Sequence, residues 1–600
     1  MTGTLPFLDE PAPHAAASSA GATTPVFVPE RAPRAAGGWR LAVVGAGIAA
    51  AMLAVVGKLV VTAAPGTVPA ANASALMAAA KPASLAPAPQ ERALYPRAKI
   101  FDRNGVLLAF SAPTHSLYAH PDDVPDPVGT AEALVRAFPD LDRDLLVRRL
   151  SSKEEFVYVA RHLTPEQYFK ALQLGLPGIR AKQEYRRIYP QGPLAVHVVG
   201  LTRADQTALS GIEAYYDADL AGVPDAPLSL SLDMRLQAVV REELQQRIDT
   251  YAAAAGAGVV LDTHTGEMLA SVSLPDFDPN IIGKRDPKVE ENRVSNGVFE
   301  LGSVFKPIVA AVALDTRVAK RDTMFDATHP IYAHGYTIKD FHGRNKWLSM
   351  QDVLVHSSNI GAARMAMDVG ADRLVRYFDR FGLLTVPGLE VYEVRAPQMP
   401  DKWQELNAMT AAYGYALSVS PAQFAATFAA LVNGGVLHRP TYIRLNNAET
   451  AQGRRVIRPE TSATVRAMLR QVVLKGTGRN AGTHLYPVGG KTGTAMKPSK
   501  HGGYSSDKRI SSFIGAFPIA DPRYVVFVMV DEPKERKVTG RYATGGKVAA
   551  PAVGRIIDRI APMLGVKPTT AEPEGDVRQA KDVRQAKTGG VITAAMQVQN

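Results

Sequence analysis

Gly302-Ser303-Val304-Phe305-Lys306 stands directly ahead of an apolar stretch, Ile308 to Leu314, that reads as a buried helix. Residues i and i+3 share a helix face, so the Ser303 hydroxyl and the Lys306 amine meet within one turn. A neutral amine in that position can take the hydroxyl proton and turn the serine into a nucleophile. Placing Ser303 at a helix start also directs backbone N–H groups at a reacting carbonyl oxygen. A second Ser-x-x-Lys occurs at Ser505-Ser506-Asp507-Lys508. It sits in a polar, Gly/Ser-rich stretch with no apolar helix behind it, and reads as a loop and a chance match.

Two further motifs follow the first. Ser357-Ser358-Asn359 comes after a helical stretch, Met350 to Val355. Ser357 can relay a proton between lysines and a leaving amine, and the Asn359 amide can bind a substrate peptide group. The plainer reading is a helix terminus or turn, where Ser and Asn are common. Lys491-Thr492-Gly493-Thr494 follows Gly489-Gly490. Lys491 supplies a cation that disfavours protonation of a neighbouring amine and attracts a substrate carboxylate. The hydroxyls of Thr492 and Thr494 can bind that carboxylate, and Gly493 lets a substrate backbone lie against an edge strand. The Thr494 N–H completes an oxyanion hole with that of Ser303; one such donor is typically worth about 10²–10³ in rate. The expectation is a neutral Lys306 beside a charged Lys491. A decoy of the third motif, Lys587-Thr588-Gly589, lies in a low-complexity tail.

Each triplet is common alone. In the order Ser-x-x-Lys, Ser-x-Asn, Lys-Thr-Gly they are the signature of penicillin-binding proteins and class A β-lactamases. Over residues 92 to 564 the chain resembles the class B penicillin-binding proteins, and within them the septal, cell-division branch of penicillin-binding protein 3 type. Arg97-Ala98-Lys99-Ile100-Phe101-Asp102-Arg103-Asn104-Gly105 is similar to that family's R-G-x-I-x-D-R-N-G, with Ala98 for Gly. Arg187-Ile188-Tyr189-Pro190, His197-Val198-Val199-Gly200 and Ser210-Gly211-Ile212-Glu213 match further blocks. Leu301 and Val304 replace the family's Pro and Thr around the nucleophile, leaving Ser303 and Lys306 intact.

The resemblance implies a peptidoglycan D,D-transpeptidase. Ser303 attacks the D-Ala-D-Ala end of a stem peptide, D-Ala leaves, and an amine of a second stem peptide accepts the acyl group. It also implies that β-lactam antibiotics acylate the same serine, and that a SEDS-type glycan polymerase and other division proteins are partners. No cofactor or metal is implied. Three alternatives are weighed. An anchored β-lactamase lacks an E-x-x-L-N loop here and leaves the first domain unexplained. An elongation-specific transpeptidase differs only in the flavour of the 97–121 block. A catalytically silent division scaffold fits poorly with intact Ser303, Lys306, Ser357, Asn359 and Lys491.

The rest of the 600 residues fits this frame. Apolar content of 46% and charged content of 21% are those of a globular chain of several domains. With no cysteine, disulfides, thiolate catalysis and Cys-based zinc sites are excluded. A formal charge of +11 without a Lys/Arg stripe interleaved with aromatics argues against nucleic acid as a partner. Residues 41–64 carry one charge, Lys58, and at about 1.5 Å per residue are long enough to cross a bilayer. Arg31, Arg34 and Arg40 precede the run, so the N-terminus is expected in the cytoplasm and the bulk of the chain in the periplasm. Gly45-Ala46-Gly47-Ile48-Ala49-Ala50 mimics a dinucleotide fingerprint, yet no acidic residue follows before Gln90.

The expected layout is a disordered tail (1–40), a transmembrane helix (41–64), a Pro/Ala linker (65–90), a pedestal domain (91–227), a transpeptidase domain (228–566) and a disordered tail (567–600). The fold class is α+β. A hairpin across Asp262 to Glu267 and two late strands, Ser511 to Phe517 and Tyr524 to Val530, form one antiparallel sheet covered by helices. Leu228 to Asp233 reads as an alternating strand opening the second domain.

Overall fold

The computed structural model describes residues 95–569, apart from 282, 284, 334, 342, 446–452, 500–502 and 536–541. The expected N-terminal tail, membrane span and linker, most of the C-terminal tail and the Lys587 decoy lie outside the described residues. Among the described residues no helix is long and apolar enough to cross a membrane.

The first layer of structure is a sheet of β1 (Ile100–Phe101), β2 (Leu107–Ala119), β3 (Val157–Leu163), β4 (Ile179–Ile188) and β5 (Leu228–Ser229), with β2 between β3 and β1 and also pairing β4. Three short helices, α1 (Pro127–Ala137), α2 (Arg143–Leu150) and α3 (Pro165–Gln173), belong to the same region. Alternate strand residues face one way, and Leu117, Ala119, Val157 and Val159 form a core with Leu134, Phe138 and Leu146. Near β1 the motif residues gather around one carboxylate. Glu213 accepts from Arg97 Nε at 2.9 Å and from Arg187 Nε at 2.6 Å, and Arg97 also reaches Asp217 at 2.7 Å. Arg97, Arg187 and Glu213 are all buried.

The segment from Leu228 to Asp233 corrects the expectation of an alternating strand. Only Leu228–Ser229 is strand, and it pairs in parallel with Ile100–Phe101 of the preceding sheet. Residues 230–233 are all buried, because chain packs on both faces: Leu230 bridges to Ile443, and Ser231 Oγ donates to the carbonyls of Met268 and Thr441. Asp102 of the Asp-Arg-Asn-Gly turn accepts from Met234 N–H at 3.1 Å, tying the first region to the start of α4 (Met234–Tyr251).

The second sheet comprises β6 (Ala255–Asp262), β7 (Met268–Leu274), β8 (Gly489–Pro498), β9 (Tyr504–Phe517) and β10 (Tyr524–Asp531). Its order is β8-β9-β10-β6-β7 and every pairing is antiparallel. Helices cover both faces. Val526, Val528 and Val530 pack with Val240, Leu244, Val553, Ile556 and Ile560 of α4 and a C-terminal helix, 550–563. Val525, Phe527 and Met529 turn the other way, toward Phe305, Phe424 and Phe428. With both faces covered, β10 carries an unbroken apolar run rather than a polar/apolar alternation. β8, which holds Lys491 to Thr494, is left at the sheet edge.

The expected loop at Ser505 to Lys508 is instead the outer end of β9. On a strand, positions i and i+3 face opposite ways. Ser505 Oγ donates to Asp507, and Lys508 pairs with Glu532 at 3.3 Å, so this Ser and Lys do not form a pair.

Candidate active site

Ser303 lies in a single 3-10 turn, Gly302–Phe305, that runs into α5 (Lys306–Asp315). The tight turn and the first turn of α5 bring Lys306 Nζ to 2.6 Å from Ser303 Oγ. Gly302 has φ +65°, and a Cβ there would meet the Thr494 carbonyl oxygen at 2.7 Å, so only glycine lets this turn rest against β8.

Ser357 ends α6 (Met350–His356) in the left-handed region, φ 61°, and Ser358 caps α7 (Asn359–Val369) through its hydroxyl. The plainer reading of Ser357-Ser358-Asn359 as a helix boundary is therefore also true, and the boundary delivers both motif side chains to Lys306. Lys306 Nζ donates to Asn359 Oδ1 at 2.8 Å, to the Ser357 carbonyl at 3.0 Å and toward Ser357 Oγ at 3.3 Å. From the far side, Lys491 Nζ donates to the same Ser357 Oγ at 2.9 Å. The chain Ser303–Lys306–Ser357–Lys491 is thus continuous in hydrogen-bond contacts.

Lys491 also approaches Thr492 Oγ1 at 3.3 Å, and that hydroxyl shares a 2.8 Å hydrogen bond with Thr477. Thr494 Oγ1 accepts from Gly545 N–H at 3.1 Å. Met496 N–H donates outward from β8 to the Tyr415 hydroxyl. Backbone groups of alternate strand residues point to the same edge, so the N–H and C=O of Thr494 face outward as well, toward the Ser303 turn. A Cβ on Gly493 would lie 2.5 Å from the Leu301 carbonyl and 2.3 Å from Ser512 Oγ, so that position must stay bare.

Both lysines are fully buried. Burial pushes the Lys306 ammonium down to about 7, opposed by the nearby Asp340 carboxylate. Burial first, and then the Lys306 charge, hold Lys491 well below the ordinary lysine range. This revises the expectation of a permanently charged Lys491. The two amines share Ser357 Oγ in an enclosed pocket, so a proton on Lys306 disfavours one on Lys491.

All eight residues singled out in the sequence, Ser303, Lys306, Ser357, Asn359, Lys491, Thr492, Gly493 and Thr494, converge here. Others were missed. Asp340 accepts from Ser358 Oγ at 2.7 Å, Asn359 N–H at 2.5 Å and Ile360 N–H at 3.0 Å, and so holds the Ser357–Asn359 turn. It lies in a polar stretch with no periodic pattern, and nothing local marks it. Thr477 comes from Gly476-Thr477-Gly478, which reads only as a turn. Glu300 and Tyr415 are likewise visible only once the chain is folded.

A half-buried serine paired with a buried lysine, a second buried lysine and an outward-facing backbone N–H on an edge strand define a serine acyl-transfer enzyme. Residues 256–558 match the penicillin binding protein transpeptidase domain, and residues 93–227 match the penicillin-binding protein dimerisation domain. The chain belongs to the penicillin-binding protein transpeptidase family.

Relatives include the probable peptidoglycan D,D-transpeptidase FtsI of Caulobacter vibrioides, 37% identical over 79% of this chain and 82% of that protein. The peptidoglycan D,D-transpeptidase FtsI of Escherichia coli K12 is 32% identical over 79% and 84%. Among solved structures, the transpeptidase domain of Burkholderia pseudomallei penicillin-binding protein 3 is 34% identical, with a TM-score of 0.51 over 57% of this chain and 97% of that one. Penicillin-binding protein 3 of Mycobacterium tuberculosis, complexed with aztreonam, is 25% identical, with a TM-score of 0.62 over 79% and 97%.

Proposed function

We propose that this protein is a peptidoglycan D,D-transpeptidase of the septal class B type, a target of β-lactams, that works through a Ser303 acyl-enzyme. The observation that carries the reading is the 2.6 Å contact between Ser303 Oγ and Lys306 Nζ, at the head of a hydrogen-bond chain to Lys491. Neutral Lys306 takes the Ser303 proton as the oxygen bonds to the carbonyl carbon of the penultimate D-Ala. The N–H groups of Ser303 and Thr494 receive the charge that develops on the carbonyl oxygen. The proton passes through Ser357 to the nitrogen of the terminal D-Ala, the C–N bond breaks and D-Ala leaves. An amine of a second stem peptide then attacks the ester, its proton returns along the same path to Ser303, and the cross-link forms. Lys491, Thr492 and Thr494 hold the substrate carboxylate and Asn359 a peptide group, while the bare Gly493 lets the Ser303 turn pack against the strand that receives the substrate.

In this reading residues 91–227 form the pedestal and 228–566 the catalytic domain, with 1–40 and 567–600 as tails. Residues 41–64 anchor the chain in the cytoplasmic membrane, 65–90 are the linker, and the catalytic domain stands in the periplasm. A SEDS-type glycan polymerase and other division proteins are the partners.

Labelling with a fluorescent penicillin tests the site. Ser303→Ala loses the label, whereas Ser505→Ala keeps it. A label that survives Ser303→Ala overturns the assignment. For topology, a reporter fused after Ala64 is expected to read as extracytoplasmic; a cytoplasmic signal there removes the anchor from the proposal.

A further inference from the structure

Glu300 lies three residues ahead of Ser303, and its carboxylate has no place in the acyl-transfer steps. Its Oε1 accepts the Ala416 N–H at 2.8 Å and the Tyr504 hydroxyl at 3.0 Å. Its Oε2 is buried and has no hydrogen-bond partner among the described residues. The two partners come from distant parts of the chain. Tyr504 opens β9, the strand that pairs with β8. Ala416 sits at φ 62° in the turn that carries Tyr415.

That turn touches both halves of the expected oxyanion hole. Gly302 N–H donates to the Gly414 carbonyl at 3.1 Å, and a Cβ on Gly414 would overlap the Gly302 carbonyl oxygen at 2.0 Å, so turn and nucleophile segment are in direct backbone contact. On its other side the Tyr415 hydroxyl accepts the Met496 N–H, two residues beyond Thr494. The Tyr415 ring meets Tyr504 edge-on, with centroids 4.9 Å apart.

We propose that Glu300 is a positioning residue that, through Tyr415 and Tyr504, sets the spacing between the Ser303 turn and β8, and with it the gap between the two oxyanion donors. This rests on the reading of Ser303 as the acylated nucleophile. The geometry favours a brace over a substrate contact. One carboxylate oxygen is committed to two protein donors and the other is enclosed. Ala416 holds a left-handed φ of 62°, uncommon for a residue other than glycine, and Glu300 pairs the N–H of that turn. The brace also ends the open edge of β8. With Met496 N–H taken by Tyr415, a substrate strand can use the outward groups of Thr494 but not those of Met496.

A misplacement of about 1 Å between reacting groups can cost about 100-fold in rate while binding contacts remain. Loss of the brace should therefore lower the acylation rate constant and spare pre-acylation binding. The test is stopped-flow acylation of the full-length protein by a chromogenic cephalosporin, separating the acylation rate constant k2 from the dissociation constant K of the first complex. Glu300→Ala and Tyr415→Phe are each expected to lower k2 by roughly 10- to 100-fold with K nearly unchanged. Glu300→Gln, which keeps an Oε1 acceptor, is expected to recover most of the loss.

Wild-type k2 in Glu300→Ala and in Tyr415→Phe overturns the proposal. So does a loss carried by K alone, or a Glu300→Gln variant as impaired as Glu300→Ala. Tyr415→Phe keeps the question open to test even where Glu300→Ala fails to fold. Ser303→Ala serves as the control: acylation that persists there sinks the nucleophile assignment itself, an outcome distinct from any result at Glu300.

Discussion

At the scale of single residues, the chemistry depends on two lysines that are denied water. Lys306 can accept the Ser303 proton only when neutral, and an ordinary lysine with a pKa of about 10.4 is almost wholly charged at pH 7. Burial brings Lys306 to about 7. The acylation rate is therefore expected to rise as pH increases from 6 to 8, with a midpoint near 7, in a k2/K profile for any β-lactam. A profile flat through that range would remove Lys306 as the base. The same shift has a stability consequence. Between pH 7 and 10 the unfolded chain keeps a proton on Lys306 that the folded protein has released, so wild-type stability rises with pH across that window. Lys306→Met lacks this dependence. Any stability advantage of Lys306→Met at pH 7 should shrink toward pH 10, measured as the difference in Tm. A difference that widens with pH would mean the folded-state lysine is not depressed.

At the scale of elements, the site is an assembly of ends: the start of α5, the junction of α6 and α7, and an edge strand. Ends leave unpaired backbone groups, and here Asp340 satisfies those at the start of α7. It accepts from the Asn359 and Ile360 N–H groups and from Ser358 Oγ. Hydrogen bonds to a charged group are worth about 1.5–3 kcal/mol each when lost singly, and some of that returns as water replaces them. Asp340→Ala should lower stability by roughly 1–3 kcal/mol in urea titration. It should also slow acylation, because Ser357 and Asn359 lose their anchor. Unchanged acylation in that variant would show that the turn holds its shape without Asp340.

At the scale of the whole molecule, the two regions are joined through buried polar contacts. Asp102 receives the first N–H of α4, and within the first region Glu213 sits between Arg97 and Arg187. Glu393 of the catalytic region accepts from Gly211 N–H. Removing one member of a buried ion cluster leaves uncompensated charge and costs about 3–5 kcal/mol. Glu213→Ala is expected to destabilise the protein by that amount in chemical denaturation. Penicillin labelling of the fraction that remains folded should persist, because no atom of Glu213 contacts the site. A variant with wild-type stability would mean that water compensates both guanidinium groups.

The sequence by itself carried the order of three motifs, the apolar helix behind Ser303, the hairpin across Asp262 to Glu267 and the late strands, and these are enough for the antiparallel sheet with its helical layers. Those features are local: periodicity, turn residues and spacing within a few positions. The functions of Glu300, Asp340, Tyr415 and Thr477 were not legible, because each acts through partners that are distant in sequence. The misreading of Leu228 to Asp233 has the same origin, since an alternating pattern looks half-exposed until a second segment, here Thr441 to Ile443, covers its outer face. Charge was decided at this level too. The motif itself predicts a neutral Lys306, but the lowering of Lys491 emerges only where both lysines are buried around one serine hydroxyl.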